Sequence, residues 1–414
     1  MPSTARKVAF SLIPALLLLG LGEVASRAMG GPECTPISPS ASGWDTMVAD
    51  QVLLWKLEPN RLFESPAGNT TTNALGLRSK HLPEGKLGIR IAVTGDSSVF
   101  GWGQPDGFTY AEQLEEMLNR AFDEPIQVIN MGVPGYSTEQ TLGLMDQVGW
   151  SYEPDLLVVH NIFSDCNIDA FQDRAAMALT NPEPSALESS RLYCALRQPW
   201  VSYQAGLNQE SNRVLMPGMP TGANQAQRLE DIDQVIDLSR VPLDDYLENL
   251  DTLLGQAQGR GAQVLMAPLA QEWDVGAWTA PMDQPSADQV LPWHPYRQAQ
   301  AQWVSQHGLL QVDLPGAFLA SGEGGRELFM DHMHPSVVGA WVMASAVAAS
   351  IVANPSLLGL GPERVQANWQ MPRPKSQRSR GPGPMQPRQG AGHPGPQGPP
   401  NPQGPPNPQP PRRP

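Results

Sequence analysis

The chain has 414 residues, 40% of them hydrophobic, enough for one large domain with additions or for two domains. Asp and Glu number 41 against 27 Lys and Arg, a formal net charge of −14. The stretch Met371–Pro414 holds seven of the basic residues and no acid, so the rest is more acidic still; such a surface repels a phosphate backbone and argues against nucleic acid as a partner.

Arg6 and Lys7 precede an apolar run, Val8 to Gly22. The run is shorter than the roughly 20 residues of a membrane span and fits the apolar core of a signal peptide. Ala28 and Gly30 offer small residues for cleavage; an uncleaved anchor with Glu23 at the interface is the alternative. Either way residues 1–30 direct the chain out of the cytoplasm, to the cell envelope or beyond it. Residues 31–70 read as a linker, because Pro, Ser and Gly crowd its first half. Of the three cysteines, Cys166 and Cys194 form the expected pair in an oxidising compartment, with Cys34 left over. None has CxxC spacing, so no zinc or redox motif is read.

From Arg90 the pattern becomes regular. Arg90–Thr94 predicts a buried strand between Gly88 and Gly95. Thr109–Phe122 has apolar residues at helical spacing. A second strand begins at Ile126 and breaks at Gly132-Val133-Pro134-Gly135. Ser137 followed by Gln140 forms a capping box at the head of a second helix. "PDLLVVHNIF" is a third strand, apolar throughout, as a strand buried on both faces should be. After about 70 residues without clear period, roughly 166–240, the alternation resumes. A helix starts at Leu243, a strand runs through "AQVLMAPL", a helix through "YRQAQAQWVSQHG", a strand through "LLQVDL", and a final helix through "SVVGAWVMASAVAASIV". Strands alternating with helices predict βαβ units and a mainly parallel sheet, so the fold class is α/β. The aperiodic stretch reads as an insertion over the sheet edge. The segment 371–414 is a Pro/Gly/Gln-rich, disordered tail without the strict glycine period of collagen.

Ligands of open α/β sheets bind beyond the carboxyl ends of the strands. Three strand ends carry unusual residues: Gly95-Asp96-Ser97, the Gly132/Gly135 turn after Asn130, and "HNIFSDCN" with Asn161, Ser164 and Asp165. A fourth piece, "FMDHMHPSVVGAW", places Asp331 three residues before His334. A serine hydroxyl needs a base to become a nucleophile, and an imidazole base needs an acceptor on its other nitrogen. Ser97, His334 and Asp331 supply these types. Backbone N–H groups of Ser97 and Gly135 are candidate donors to a developing oxyanion. No Gly-x-Ser-x-Gly, HExxH or Walker loop occurs.

On "TGDSS", "VINMGVPGYST" and "DHMHPSVVG", the chain resembles the SGNH family of GDSL-type serine esterases and their acyl-transferring relatives. "TNALGLRS", Thr72 to Ser79, is similar to the segment that leads into the first strand of many exported members. The resemblance covers roughly 70–352, the insertion excepted, and implies an SGNH-hydrolase-like domain over 71–360. It implies a three-layer α/β/α, flavodoxin-like fold with a mainly parallel sheet. It implies Ser97 as nucleophile, His334 as base, Asp331 as its orienting acid and Gly135 as an oxyanion donor, with no metal or organic cofactor. One block departs. The family's Gly-x-Asn-Asp is "IFSD", with Ile162 for the glycine and Ser164 for the asparagine. Ser164 is then the candidate third donor, Asn161 the weaker one. The implied activity is hydrolysis of carboxylic esters on a small molecule, lipid or acylated glycan. The N-terminal segment or the tail would supply any envelope association. A glycan O-acyltransferase and a catalytically weak glycan-binding module are the alternatives.

Overall fold

The structure is a computed structural model; it describes residues 4–31, 47–50, 52–65, 68–80, 85–167, 172–179, 187, 189–197, 227–228, 239–275, 289–290 and 293–372. Helix α1 (Thr4–Ala28) carries the N-terminal apolar run. Among the described residues, no helix is long and apolar enough to cross a membrane. The tail lies outside the described residues from 373 onward, as does most of the insertion.

The stretch read as a linker is not a plain one. Strands β1 (Met47–Asp50) and β2 (Leu54–Leu57) form an antiparallel hairpin, and β3 (Leu62–Ser65) and β4 (Gly68–Thr71) form another. Asp50 organises the first turn by accepting from the backbone N–H groups of Val52 and Leu53, both at 2.9 Å. Leu53, Leu54, Trp55 and Leu57 are buried in the main core. The apolar run Val52–Trp55 outweighs the Pro and Ser around it, because its burial removes a large apolar area from water.

The central sheet contains β5 (Ile89–Thr94), β6 (Ile126–Asn130), β7 (Leu156–Val159), β8 (Gln263–Met266) and β9 (Leu310–Gln311). Their order is β9-β8-β7-β5-β6 and every pairing is parallel. All residues of β5 and β7 are buried, which explains the apolar runs Ile91–Val93 and Leu156–Val159.

Right-handed crossovers then fix the layers. The chain leaves β5 for β6 through α2 (Ser97–Phe100) and α3 (Tyr110–Ala121). It doubles back past β5 to β7 through α4 (Thr138–Gln147), so α3 and α4 cover opposite faces. After the short α5 (Phe163–Cys166) and α6 (Asp173–Leu179), helices α7 (Leu243–Gly259) and α8 (Trp293–Gln306) continue on the α4 side. The last helices, α9 (Leu314–Ala320), α10 (Gly325–Leu328) and α11 (Val337–Ala353), return to α3. The result is the parallel sheet expected from the alternation, inside the α/β/α sandwich that the resemblance implies. Its direction of winding reverses at β5, so the carboxyl end of that strand opens a crevice.

The capping box expected of Ser137 and Gln140 forms, and the structure shows a second, Thr109 with Glu112, at the head of α3. The disulfide expectation fails: Cys194 is disulfide-bonded, but Cys166 is a free thiol packed in the core. Burial pushes its pKa up, so it behaves as a small apolar side chain.

Candidate active site

Ser97 opens α2 directly after β5. Asp96 caps that helix, accepting from the Ser98 N–H at 2.9 Å. The cap turns the chain sharply and leaves Ser97 at the sheet rim, 5% exposed. The loop after α2 is gripped by Arg78, from the segment "TNALGLRS". Its guanidinium donates to the carbonyls of Phe100 (3.2 Å), Gly101 (2.5 Å) and Gln104 (2.5 Å) and pairs with Asp106. A planar cation with several donors can bind that many acceptors at once; a lysine cannot.

Asp331 and His334 lie between α10 and α11. Asp331 Oδ1 accepts from the backbone N–H groups of Met333 (3.0 Å) and His334 (2.8 Å). That turn swings its other oxygen, Oδ2, to 2.6 Å from His334 Nδ1. His334 Nε2 lies 2.8 Å from Ser97 Oγ. The structure therefore brings Asp331, His334 and Ser97 into one hydrogen-bonded row across 237 positions of sequence. Burial works against ionisation of Asp331, but the hydrogen bonds from His334 and the two backbone donors prevail and hold its carboxyl well below the usual range. Two further contacts lock the row: Ser98 Oγ donates to the Met333 carbonyl at 3.3 Å, and Gln104 Nε2 donates to the Pro335 carbonyl at 2.8 Å. The Trp102 ring lies 6.2 Å from the His334 ring and walls that side.

The glycine turn after β6 comes close to the nucleophile helix. A Cβ on Gly132 would sit 2.4 Å from the Phe100 nitrogen, so no larger residue fits. Gly135 has φ +77°, a left-handed conformation that glycine adopts without strain. Neither its N–H nor that of Ser97 donates to a backbone acceptor among the described residues, which leaves both able to meet an oxyanion.

The third block departs further than its sequence alone implied. Ser164, expected as a third oxyanion donor, spends its single hydroxyl proton on Asp96 Oδ2, at 3.4 Å. Asn161 points its amide at Thr141 Oγ1, 2.9 Å away. Each side chain thus directs a donor to a protein acceptor outside the row. His160 also lies outside the row: its Nε2 meets Tyr110 Oη at 3.0 Å, and burial pushes its pKa down to about 3, so it stays neutral. Among the described residues, no cluster of His, Cys, Asp and Glu could hold a metal ion.

Sequence reasoning missed two residues near Gly135. Trp55 Nε1 donates to the Pro134 carbonyl at 3.1 Å, and Arg240 Nη1 donates to the Gly135 carbonyl at 2.7 Å. Trp55 lies in the supposed linker and Arg240 at the end of the aperiodic insertion. Neither carries a local motif. Only the apolar run around Trp55 signalled a packed segment.

No protein-family model matches the chain, and no curated protein matches it. Solved structures similar to it include an α/β hydrolase enzyme from the metagenome of Lake Arreo, Spain. That likeness has 15% identity, covers 64% of this chain and 96% of the other, and has a TM-score of 0.40. A lipolytic protein of the G-D-S-L family from Desulfitobacterium hafniense is 11% identical, with 63% and 98% covered and a TM-score of 0.37. An acetylxylan esterase from Geobacillus stearothermophilus is 15% identical, with 64% and 94% covered and a TM-score of 0.39. At such identities none of their activities transfers to this chain.

Proposed function

We propose that the protein is a serine esterase of SGNH type, hydrolysing carboxylic esters through an acyl-serine intermediate. The observation that carries this reading is the row Asp331–His334–Ser97, at 2.6 and 2.8 Å. With its Nδ1 proton held by Asp331, His334 presents a lone pair on Nε2 to the Ser97 hydroxyl. Ser97 Oγ attacks the ester carbonyl carbon while its proton passes to Nε2. The carbonyl π electrons move onto oxygen, where the N–H groups of Ser97 and Gly135 receive the charge. Collapse expels the alcohol, which takes the proton from Nε2. Water then attacks the acyl-serine by the same route, giving the carboxylic acid and free Ser97. These residues complete the cycle without a metal or organic cofactor.

The substrate on this reading is an ester-bearing small molecule or the acyl group of a lipid or glycan. The half-buried Trp102 beside His334 favours an apolar group on that side. The cell envelope is the proposed location. Its support is the basic-then-apolar start of the chain and the exposed leucines Leu17, Leu18, Leu19 and Leu21 of α1. Retention of α1 is favoured over removal, because Glu23 accepts from Ser190 Oγ at 2.6 Å and from the Leu192 N–H at 3.0 Å.

The test is labelling of the purified full chain with a fluorescent fluorophosphonate, beside Ser97→Ala, together with a panel of aryl esters of increasing acyl length. The expected result is labelling and turnover in the parent and neither in Ser97→Ala. A folded parent that neither labels nor turns over any ester would rule the reading out.

A further inference from the structure

The two donors to the glycine turn have a geometric consequence. Gly135 sits between two peptide units. The unit before it contains the Pro134 carbonyl and the Gly135 N–H; the unit after it contains the Gly135 carbonyl. The described chain has no cis peptide bond. In a planar trans unit the C=O and N–H point in opposite directions, so whatever holds the Pro134 oxygen also aims the Gly135 N–H. Trp55 Nε1 holds that oxygen at 3.1 Å. Arg240 Nη1 holds the Gly135 oxygen at 2.7 Å. Trp55 thereby pins the unit that carries the Gly135 N–H, and Arg240 pins the next unit, whose Tyr136 N–H donates to the Val133 carbonyl at 3.0 Å, so the backbone of Gly135 is held on both sides.

The two anchors are themselves fixed. Arg240 is 4% exposed and paired to the buried Asp173 through two parallel bonds, Nε to Oδ1 at 2.9 Å and Nη2 to Oδ2 at 2.7 Å. Its Nη2 also donates to Gln140 Oε1 at 2.8 Å. The guanidinium lies over the Trp55 indole, 5.4 Å from the ring centroid. The indole in turn lies against Gly135: a Cβ there would meet Trp55 Cζ2 at 3.2 Å. Tyr136 Oη donates to the Trp55 carbonyl at 2.6 Å and closes the arrangement. We infer that Trp55 and Arg240 are positioning residues of the oxyanion site, a two-point clamp that holds the Gly135 N–H in its donating direction. The inference rests on the esterase reading. It also answers the departure at Ser164 and Asn161: with those side chains engaged elsewhere, more of the charge falls on the backbone donors, and their alignment matters more.

The test compares Trp55→Phe, which keeps an aromatic ring and loses the Nε1 donor, with Arg240→Lys, which keeps a charge opposite Asp173 and loses the fork. The parent and each variant are measured on one aryl ester across pH. Binding of an aryl trifluoromethyl ketone, whose serine adduct carries the oxyanion, is measured beside it. A misaimed oxyanion donor lowers kcat by about tenfold in Trp55→Phe and by about 10- to 100-fold in Arg240→Lys, below the loss seen when a donor is removed outright. KM stays within threefold, the inflections of the pH–rate profile do not move, and affinity for the ketone falls by the same factor as kcat/KM. Folded variants with kcat within twofold of the parent would overturn the inference while leaving the esterase reading intact. So would a rise in KM at unchanged kcat. If Arg240→Lys does not fold, Trp55→Phe decides; if neither folds, both residues are merely structural and the inference falls. A parent with no turnover at all would instead remove the esterase reading.

Discussion

Ser164 and Asp96 are joined by a hydrogen bond of 3.4 Å between Oγ and Oδ2, and this bond links two blocks of the site to each other instead of to a substrate. Asp96 is fully buried, and burial raises its pKa; the Ser98 N–H and the Ser164 hydroxyl are among the groups that support its charged form. Ser164 thus stabilises the cap of the nucleophile helix. Ser164→Ala is therefore expected to lower kcat by less than about fivefold and to cost about 1 kcal/mol of stability, the size of one hydrogen bond. Loss of an oxyanion donor would cost about 100- to 1000-fold. Steady-state kinetics on an aryl ester separates the two outcomes by more than a decade.

Asp331→Asn tests the His334 tautomer. Asn keeps an Oδ1 acceptor for the Met333 and His334 N–H groups, so the turn survives. Its amide nitrogen then faces His334 Nδ1 and donates where the carboxylate accepted. The imidazole proton moves to Nε2, which can no longer take the Ser97 proton. The expected loss is about 10³- to 10⁴-fold in kcat, with KM within threefold, from the same defect described for the chymotrypsin-type triad. A loss below tenfold would remove Asp331 from the reaction.

The legible parts of this protein were those with local periodicity or a turn of demanding chemistry. The strands β5 and β7 read as apolar runs because both faces are buried. Apolar spacing announced the helix after Thr109 and the capping box at Ser137 announced the next one, and the spacing of Asp331 and His334 matched a turn that lets one carboxylate bind both backbone and ring. The illegible parts depend on distant partners. Trp55 and Arg240 meet at Gly135 from 80 and 105 positions away, and nothing near either residue encodes that contact. Cys166 shows the same limit: parity of cysteines cannot tell a core thiol from a bridge. Ser164 and Asn161 were chosen by their place in a block, whereas their orientation is decided by Asp96 and Thr141.

Leu53→Ala measures how far the segment before β5 is part of the domain. Leu53 is 1% exposed and belongs to the main core, and its Cδ2 lies 2.7 Å from the position a Cβ on Gly143 of α4 would take. Truncation removes transfer free energy and leaves a cavity between the hairpin and α4. The expected cost is about 2–5 kcal/mol, read as a lower urea midpoint at unchanged slope. A side chain in a true linker would cost nothing measurable.

Asp165 gives the chain a pH-dependent stability. Its Oδ1 accepts from the Thr138 N–H at 2.7 Å and Oγ1 at 2.6 Å, and burial pushes its pKa up to about 7. The Thr138 bonds and Arg240 oppose that rise, and Asp173 adds to it. The folded pKa lies above the unfolded value, so the folded chain keeps a proton that the unfolded chain releases. Stability from this group is complete below about pH 4 and declines as pH rises to about 7, by at most about 1.4 kcal/mol per pH unit. Asn at this position mimics the protonated acid and has no proton to lose. The melting temperature of Asp165→Asn should therefore gain on the parent steadily from pH 4 to 7 and hold a constant lead above that. A difference that stays flat through this window would show that Asp165 is ionised in the folded protein at acidic pH, and that its hydrogen bonds from Thr138 outweigh its burial.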